Sequence, residues 1–401
     1  MNKKICIVSR AWFPNHQSLF EKLSLLLEAD NIEIKYCLLG GAEHNRPWDY
    51  FEGVSSLTPR IIRGLRGRIF GKEVFLLNDV NKVLEEINPD IVILSPWSEQ
   101  PLHTAKKWAK RHNKTCIGWV MGPRQIHRNF FDKIRGVVSQ HIIREFVAEM
   151  DEIFCYGNGV SNEIHRITDF PLSRMTCVKH SVDKSNYEIP TIADRRMLRA
   201  KARSVNLISN DQFVFGFVGQ LIARKGIATL LESCQQLANL GYDFKLYVLG
   251  RGPLSNMLTR SELYKMGKIV MLSRLETRDL RGFYSIVDCM IVPSLFDDWC
   301  TVVNESFHSR TPIICSTGAY SHFDLVQDGV TGLRFNAGDP EQLLGRMKIA
   351  ISNPVLLEQI SNNAYNVISD WTIDDSARIW YSRLVQYFYP ESTYTSCLNS
   401  K

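Results

Sequence analysis

Two carboxylates, Asp297 and Glu305, stand eight positions apart in the stretch PSLFDDWCTVVNESFHSRTPII, which runs from Pro293 to Ile314. An apolar run, DCMIVPS, leads into the first of them and closes on Pro293 and Ser294. The second lies about one or two turns into VVNESFHS, a run of helical residue types. In an open parallel sheet, ligands bind beyond the carboxyl ends of the strands. Both acids are therefore expected at one crevice. A second signal is VGQLIARKGIATLLESC, where Gly219 ends a strand and Arg224, Lys225 and Gly226 precede a helix. Free N–H groups at a helix start attract anions, and two cations reinforce them. A solvated basic turn is the alternative, and the strand-to-helix position favours phosphate. The run is neither a Walker A loop nor a G-x-G-x-x-G fingerprint, which counts against ATPase and simple NAD readings. In LGRGPLSNML, Gly250 and Gly252 would let the backbone approach a ligand. A tight turn with Pro253 at the first helical position explains them equally well.

These residues need elements to hold them, and the chain supplies two alternating series. In the first half ICIVS, IEIKYCLL, DIVILS, TCIGWV, EIFCYG and TCVKHSVD read as strands, and SLFEKLSLLLEA, NDVNKVLEEI and LHTAKKWAKRH as helices. In the second, FVFGFVG, FKLYVLG, KIVMLS, CMIVPS and PIICS read as strands between helical stretches. Such alternation predicts α/β architecture, a parallel sheet covered on both faces, twice over. The predicted boundaries are a first domain over 1–183, a linker with a short helix over 184–211, a second domain over 212–370 and a terminal helix over 371–390.

Composition narrows the class. The 401 residues, 45% hydrophobic and 22% charged, suit an ordinary globular protein of two domains. A net charge of +6 is too mild to indicate nucleic acid. Two lysines precede only a short apolar run at the start, which predicts no secretory signal. No apolar run is long enough to predict a membrane-spanning helix. The ten cysteines include no C-x-x-C pair and several lie in strand-like runs, which predicts buried thiols, a reducing cytoplasmic setting and no zinc site.

The strings VGQLIARKG, LYVLGRGP, FYSIVDCMIVPS, DDWCTVVNE and TPIICSTGAYSHFDLVQDGVTGLRF, in this order and strand context, resemble the retaining glycosyltransferases of family 4 (group 1). The resemblance covers roughly Phe213 to Ala350. It implies the GT-B fold: two facing Rossmann-like domains, the first for the acceptor and the second for a nucleotide-diphospho-sugar. The 371–390 helix would return to the first domain. Asp297-x7-Glu305 looks like the family's E-x7-E element. The later carboxylate would hold ribose hydroxyls and the earlier one would contact the donor sugar. A carboxylate only accepts hydrogen bonds, so it suits vicinal hydroxyls. The loop between them, with Trp299, Cys300, Thr301 and Val302, would lie against sugar and phosphate. Lys225 and Arg224 would neutralise the departing diphosphate, with Gly219, Gln220 and Gly252 beside the donor. No metal or other cofactor is implied. The implied activity is sugar transfer with retention, to a glycan or a polyprenyl-lipid-linked acceptor, in surface polysaccharide synthesis. The departures are specific. Asp297 replaces the family's Glu and reaches about 1.5 Å less far. Cys300 stands where the family has Gly, and Gln220 where an Arg is common. The glycine pair expected after the first strand is missing, and SPWSEQP offers no acceptor-side histidine. A weakly active sugar-nucleotide-binding subunit and a GT-B-fold nucleotide-sugar epimerase are the alternatives.

Other residues carry two readings each. Trp299 would shape the sugar pocket or fill a core gap. Arg274 would lie beside the base or on the surface. Asp288 reads as a cap more readily than as a ligand. Asp297-Asp298 is not a D-x-D metal motif. On the acceptor side Arg124 and Trp97 are candidates, Arg124 for a lipid-linked phosphate or for structure. PRIIRGLRGRIFGKEVF carries Arg60, Arg63, Arg66, Arg68 and Lys72 interleaved with apolar residues. Residues 60–72 read either as a basic amphipathic helix formed on an anionic membrane, placing the protein at the inner face of the cell membrane, or as a solvated loop.

Overall fold

A computed structural model of the chain describes residues 3–10, 14–39, 57–69, 72–95, 99–122, 130–272, 275 and 279–390. The chain divides into two compact units. Ser181–Thr372 forms the second, and the chain before it joins the stretch from Ile373 onward to form the first.

The first unit is built on β1 (Lys3–Ser9), β2 (Ile32–Leu39), β3 (Arg60–Ile62), β6 (Ile91–Ser95), β7 (Thr115–Val120), β8 (Glu152–Cys155) and β9 (Met175–Cys177). They form a parallel sheet in the order β3-β2-β1-β6-β7-β8-β9, with Ile5 level with Ile34 on one side and Ile91 on the other. β4 (Gly64–Ile69) and β5 (Lys72–Asn78) pair antiparallel as a separate hairpin. This corrects the expected amphipathic helix over 60–72. Gly64 and Gly67 disfavour a helix, while Ile61, Ile62 and Ile69 favour extended backbone. Arg60 at the sheet edge pairs with Glu86. The terminal helix Ile373–Phe388 is locked into this unit by Trp380, whose ring meets Phe154 at 4.8 Å and Trp119 at 5.4 Å. Arg383 and Tyr387 both bond the buried Glu152.

The second unit holds β10 (Val214–Val218), β11 (Lys245–Leu249), β12 (Ile269–Leu272), β13 (Cys289–Val292), β14 (Ile313–Ser316) and β15 (Leu333–Phe335). Their order is β12-β11-β10-β13-β14-β15, all parallel. Strand order therefore reverses between β10 and β13, the place where an open sheet splays its loops apart and leaves a crevice. Phe215, Leu246, Val248, Ile291 and Ile314 fill the core between sheet and helices.

Residues 184–211 are packed into this second unit. The helix Ile192–Val205 opens on a capping box, with Thr191 and Asp194 each bonding the other's backbone N–H. Arg195, Arg199 and Arg203, four residues apart, then share one face. Arg203 is fully buried and donates to the carbonyls of Ile286, Ser209, Asn210 and Gln212 and to Asp288. Arg195 reaches the carbonyls of Tyr284 and Val287 and the Thr311 hydroxyl. These cations meet the carbonyl end of the helix Leu280–Ile286, where a positive charge is favoured. Asp288 takes Arg199, Arg203 and the Val214 N–H, which makes it structural.

Candidate functional site

The switch point of the second unit gathers the strongest candidates. After β10 the chain makes a short 3-10 turn, Ala223–Lys225, and enters the helix Ile227–Asn239 through Gly226. Gly226 has φ +72°, and a Cβ there would lie 1.8 Å from the Pro293 carbonyl oxygen. Only glycine lets the β10 loop touch the end of β13. Two backbone bonds complete the seam, from the N–H groups of Leu295 (2.8 Å) and Phe296 (3.3 Å) to the Arg224 carbonyl. Asp297 is fixed on the other side by its N–H, which donates to the Gly318 carbonyl beyond β14 at 2.8 Å.

The result is a three-membered charge cluster. The Lys225 ammonium bonds Asp297 Oδ2, and an Arg224 guanidinium nitrogen lies 3.3 Å from Oδ1. Burial pushes the Asp297 carboxyl up, but Lys225 and then Arg224 outweigh it and hold the group below its usual range. Burial likewise works against the Lys225 ammonium, and Asp297 more than compensates, so its pKa is raised. Two cations against one anion leave this three-residue cluster with a net positive charge, suited to a diphosphate.

Glu305 sits in the first turn of the helix Val302–His308, close behind. Its environment is the opposite. Burial raises its pKa, and hydrogen bonds from Tyr284 and Thr301, with a weaker pull from Lys225, offset this only in part. The Tyr284 hydroxyl donates to Glu305 Oε2 at 2.6 Å. Tyr187 lies beside it, its ring 6.1 Å from that of Tyr284. Neither tyrosine stood out in the sequence. A buried phenol 21 residues from its carboxylate leaves no local signature beyond an aromatic pair, Phe283-Tyr284, ahead of a strand.

The loop between the two acids divides. The Trp299 side chain is turned into the core: it stacks on Trp371 at 5.2 Å and donates its indole N–H to Asn304 at 2.8 Å. Of its two readings, core filling is the one seen. Cys300, buried, has φ +71°, the left-handed region that glycine favours. Its thiol is pushed up to about 12, by burial first and by Asp297 next. Thr301 directly precedes the helix that carries Val302 and Glu305 and makes no side-chain capping bond to it. Gly219 and exposed Gln220 follow β10 directly. Gly252 serves the fold, since a Cβ there would lie 2.5 Å from the Leu221 carbonyl oxygen; at Gly250 the clash would be with Gly219, at 1.9 Å. Arg274, Arg124 and Trp97 lie outside the described residues, as do parts of the expected acceptor side.

Comparison with known proteins follows the same seam. Residues 199–367 match the family of glycosyl transferases group 1. That stretch contains every donor-side candidate named above. Among curated relatives, the capsular polysaccharide biosynthesis glycosyltransferase CapM of Staphylococcus aureus is 27% identical over 157 residues, 38% of this chain and 40% of the relative. Granule-bound starch synthase 1 of Arabidopsis thaliana is 26% identical over 211 residues, 48% of this chain and 34% of the relative. The chain thus spans well under half the length of these two relatives. Solved structures match far more of it. Sucrose-phosphate synthase from Thermosynechococcus elongatus aligns over 97% of this chain and 100% of its own, with a TM-score of 0.73 at 14% identity. Anabaena HepE in complex with UDP aligns over 96% and 100%, with a TM-score of 0.68 at 13% identity. The fold is that of GT-B glycosyltransferases, two Rossmann-like units each with a parallel sheet.

All nine cysteines among the described residues are free thiols. No described helix is long and apolar enough to cross a membrane.

Proposed function

We propose that this protein is a retaining glycosyltransferase that moves a sugar from a nucleotide-diphospho-sugar to a glycan or lipid-linked acceptor in surface polysaccharide synthesis. The observation that carries the reading is the cluster of Arg224, Lys225 and Asp297 at the β10/β13 switch point, with Glu305 eight residues on. It lies inside the stretch that matches group 1 glycosyltransferases, and CapM, a relative of that stretch, is a capsular polysaccharide enzyme by name.

In this reading the bond between the sugar's anomeric carbon and the diphosphate oxygen breaks. The negative charge that develops on that oxygen is met by Lys225 and Arg224, already in place and partly desolvated, so little reorganisation is needed. The acceptor hydroxyl attacks the same face, and its proton passes to the departing phosphate. No side chain need become covalently attached. Asp297 keeps the two cations aimed while it faces the donor sugar, and Glu305 accepts the ribose hydroxyls. Protein cations do this work, so transfer is expected to be metal-independent. The basic hairpin over 64–78, with Arg60 and Arg63 before it, is offered as the contact with an anionic membrane carrying the acceptor.

The test is a panel of nucleotide sugars with candidate acceptors, reading nucleoside diphosphate release and the anomeric configuration of the product by NMR. Retained configuration, and turnover unchanged by EDTA, are expected. An inverted product would refute retention. Isomerised sugar from a donor incubated alone would identify an epimerase instead.

A further inference from the structure

Glu305 is a buried acid without a strong counter-charge, and a carboxylate in that position has two ways to fail as a ribose acceptor. It can rotate, or it can take up a proton. The Tyr284 hydroxyl addresses both. It is fully buried and donates to Oε2 at 2.6 Å, which leaves Oε1 as the oxygen whose direction is set by the Tyr284 contact but not used by it. A phenol O–H bonded to a carboxylate favours the ionised form.

Tyr284 is itself held from behind. Its backbone carbonyl accepts from the Thr311 hydroxyl at 3.1 Å and from Arg195 at 3.4 Å. Arg195 belongs to the helix Ile192–Val205 and also reaches the carbonyl of Ser309, the residue that ends the Glu305 helix. One guanidinium thus ties the element carrying the phenol to the element carrying the acid. The groups facing Glu305 are Tyr284 from the helix Leu280–Ile286, Tyr187 from the segment before Pro190, Thr301 and Cys300 from its own loop, and Lys225 from the β10 loop.

We propose that Tyr284 is the positioning residue for nucleotide recognition: its hydroxyl orients the Glu305 carboxylate and keeps it ionised, so that the acid can accept both ribose hydroxyls. Tyr284 touches no ligand in this account and acts through Glu305 alone. The inference rests on the donor-site reading above and deepens it.

The experiment uses the full chain and isothermal titration with UDP, ADP, GDP and dTDP, followed by the 2′,3′-dideoxy form of whichever ribonucleotide binds tightest. Tyr284→Phe keeps the ring and its packing. It should weaken ribonucleotide binding about tenfold, the scale of one charge-assisted hydrogen bond. It should leave binding of the dideoxy form unchanged, because only the ribose hydroxyls consult Glu305. The acid limb of ribonucleotide affinity should move to higher pH in Tyr284→Phe, since the bond that favours ionisation is gone. Glu305→Gln should abolish the limb, and adding Tyr284→Phe to it should cost nothing further. Equal ribonucleotide affinity and an unmoved acid limb in Tyr284→Phe would overturn the proposal while leaving the donor site standing. Equal losses for ribose and dideoxy forms would also overturn it, by showing a general structural defect. A wild-type chain that binds none of the four nucleotides would remove the donor-site reading and this inference with it.

Discussion

Cys300 offers the sharpest test of the loop that separates the two acids. Its φ of +71° lies in the left-handed region, where an L-residue pays about 1–2 kcal/mol for the approach of its Cβ to the backbone. The backbone has little freedom to relax. The Cys300 carbonyl accepts from the Val303 N–H at 3.1 Å, and the flanking residues are tied to the loop beyond β14 by Tyr320 and Ser321. Replacing Cys300 by Ala removes the sulfur and keeps the strain. Replacing it by Gly removes one further carbon, worth about 0.8 kcal/mol of burial, and adds the usual glycine penalty of about 0.5–1 kcal/mol. At an ordinary buried position the Gly variant should therefore be less stable than the Ala variant by about 1.5 kcal/mol. Here the relief of about 1–2 kcal/mol cancels that difference. The expected outcome is two variants of equal stability, both below wild type. Urea unfolding resolves it, since slopes of about 1–3 kcal/mol per molar turn a 1.5 kcal/mol gap into a midpoint shift of about 0.5–1.5 M. A Gly variant with a midpoint lower than the Ala variant by that amount would refute the argument that this position stores strain.

Lys225→Ala should weaken nucleoside diphosphate binding by about 1.5–3 kcal/mol, measured by calorimetry; unchanged affinity would place the phosphate elsewhere. Arg203→Met should destabilise the second unit by about 3–5 kcal/mol, because it strands the buried partners of a fully enclosed guanidinium, and a thermal melt within a degree or two of wild type would contradict this. The pH dependence of stability has a definite sign at each acid. Asp297 is held below the ordinary aspartate value of 3.8, so its contribution is complete above that value and is lost as pH falls through the lower folded pKa. Glu305 is raised above 4.5, so its contribution is present below that value and is lost as pH rises through the folded pKa. Urea midpoints across the acid range should therefore fall less steeply on acidification in Asp297→Asn than in wild type.

Much of the architecture was written locally. Runs such as CIVS, VILS and FVFGFV are continuous and apolar because both faces of a parallel sheet are covered, and they stand out without any knowledge of partners. β15 leaves no sequence signal because three residues, LRF, are too short to show a period. The hairpin β4–β5 is not legible in the sequence because arginines spaced along a glycine-containing run fit a helical wheel as readily as an alternating strand. The helix Ile192–Val205 is legible as the short helix of the 184–211 segment, but where its basic face turns is not. Nothing local says that carbonyls 83 residues away, such as that of Ile286, await a guanidinium. The site shows the same division. Residue types and the eight-residue spacing of the acids were legible, whereas the Lys225–Asp297 bond spans 72 positions and the partner of Trp299 is Trp371.

The two acids illustrate why spacing alone could not assign their tasks. Asp297 and Glu305 share a loop and a helix start, and both are buried. What separates them is the company brought by other elements: two cations from the β10 loop for Asp297, a phenol from the Leu280–Ile286 helix for Glu305. The shorter side chain at position 297 fits this division. A Glu would carry its carboxylate about 1.5 Å further out. Asp draws it back to where Lys225 and Arg224 close on it from one side. An acid so placed remains ionised at any pH near neutrality and serves by fixing the direction of two positive charges. An acid placed like Glu305 depends on its hydrogen-bond donors, Tyr284 first, to offset burial and favour the ionised form. Here a single strand-to-helix loop supplies the pair, and the three-dimensional neighbours drive their pKa values apart.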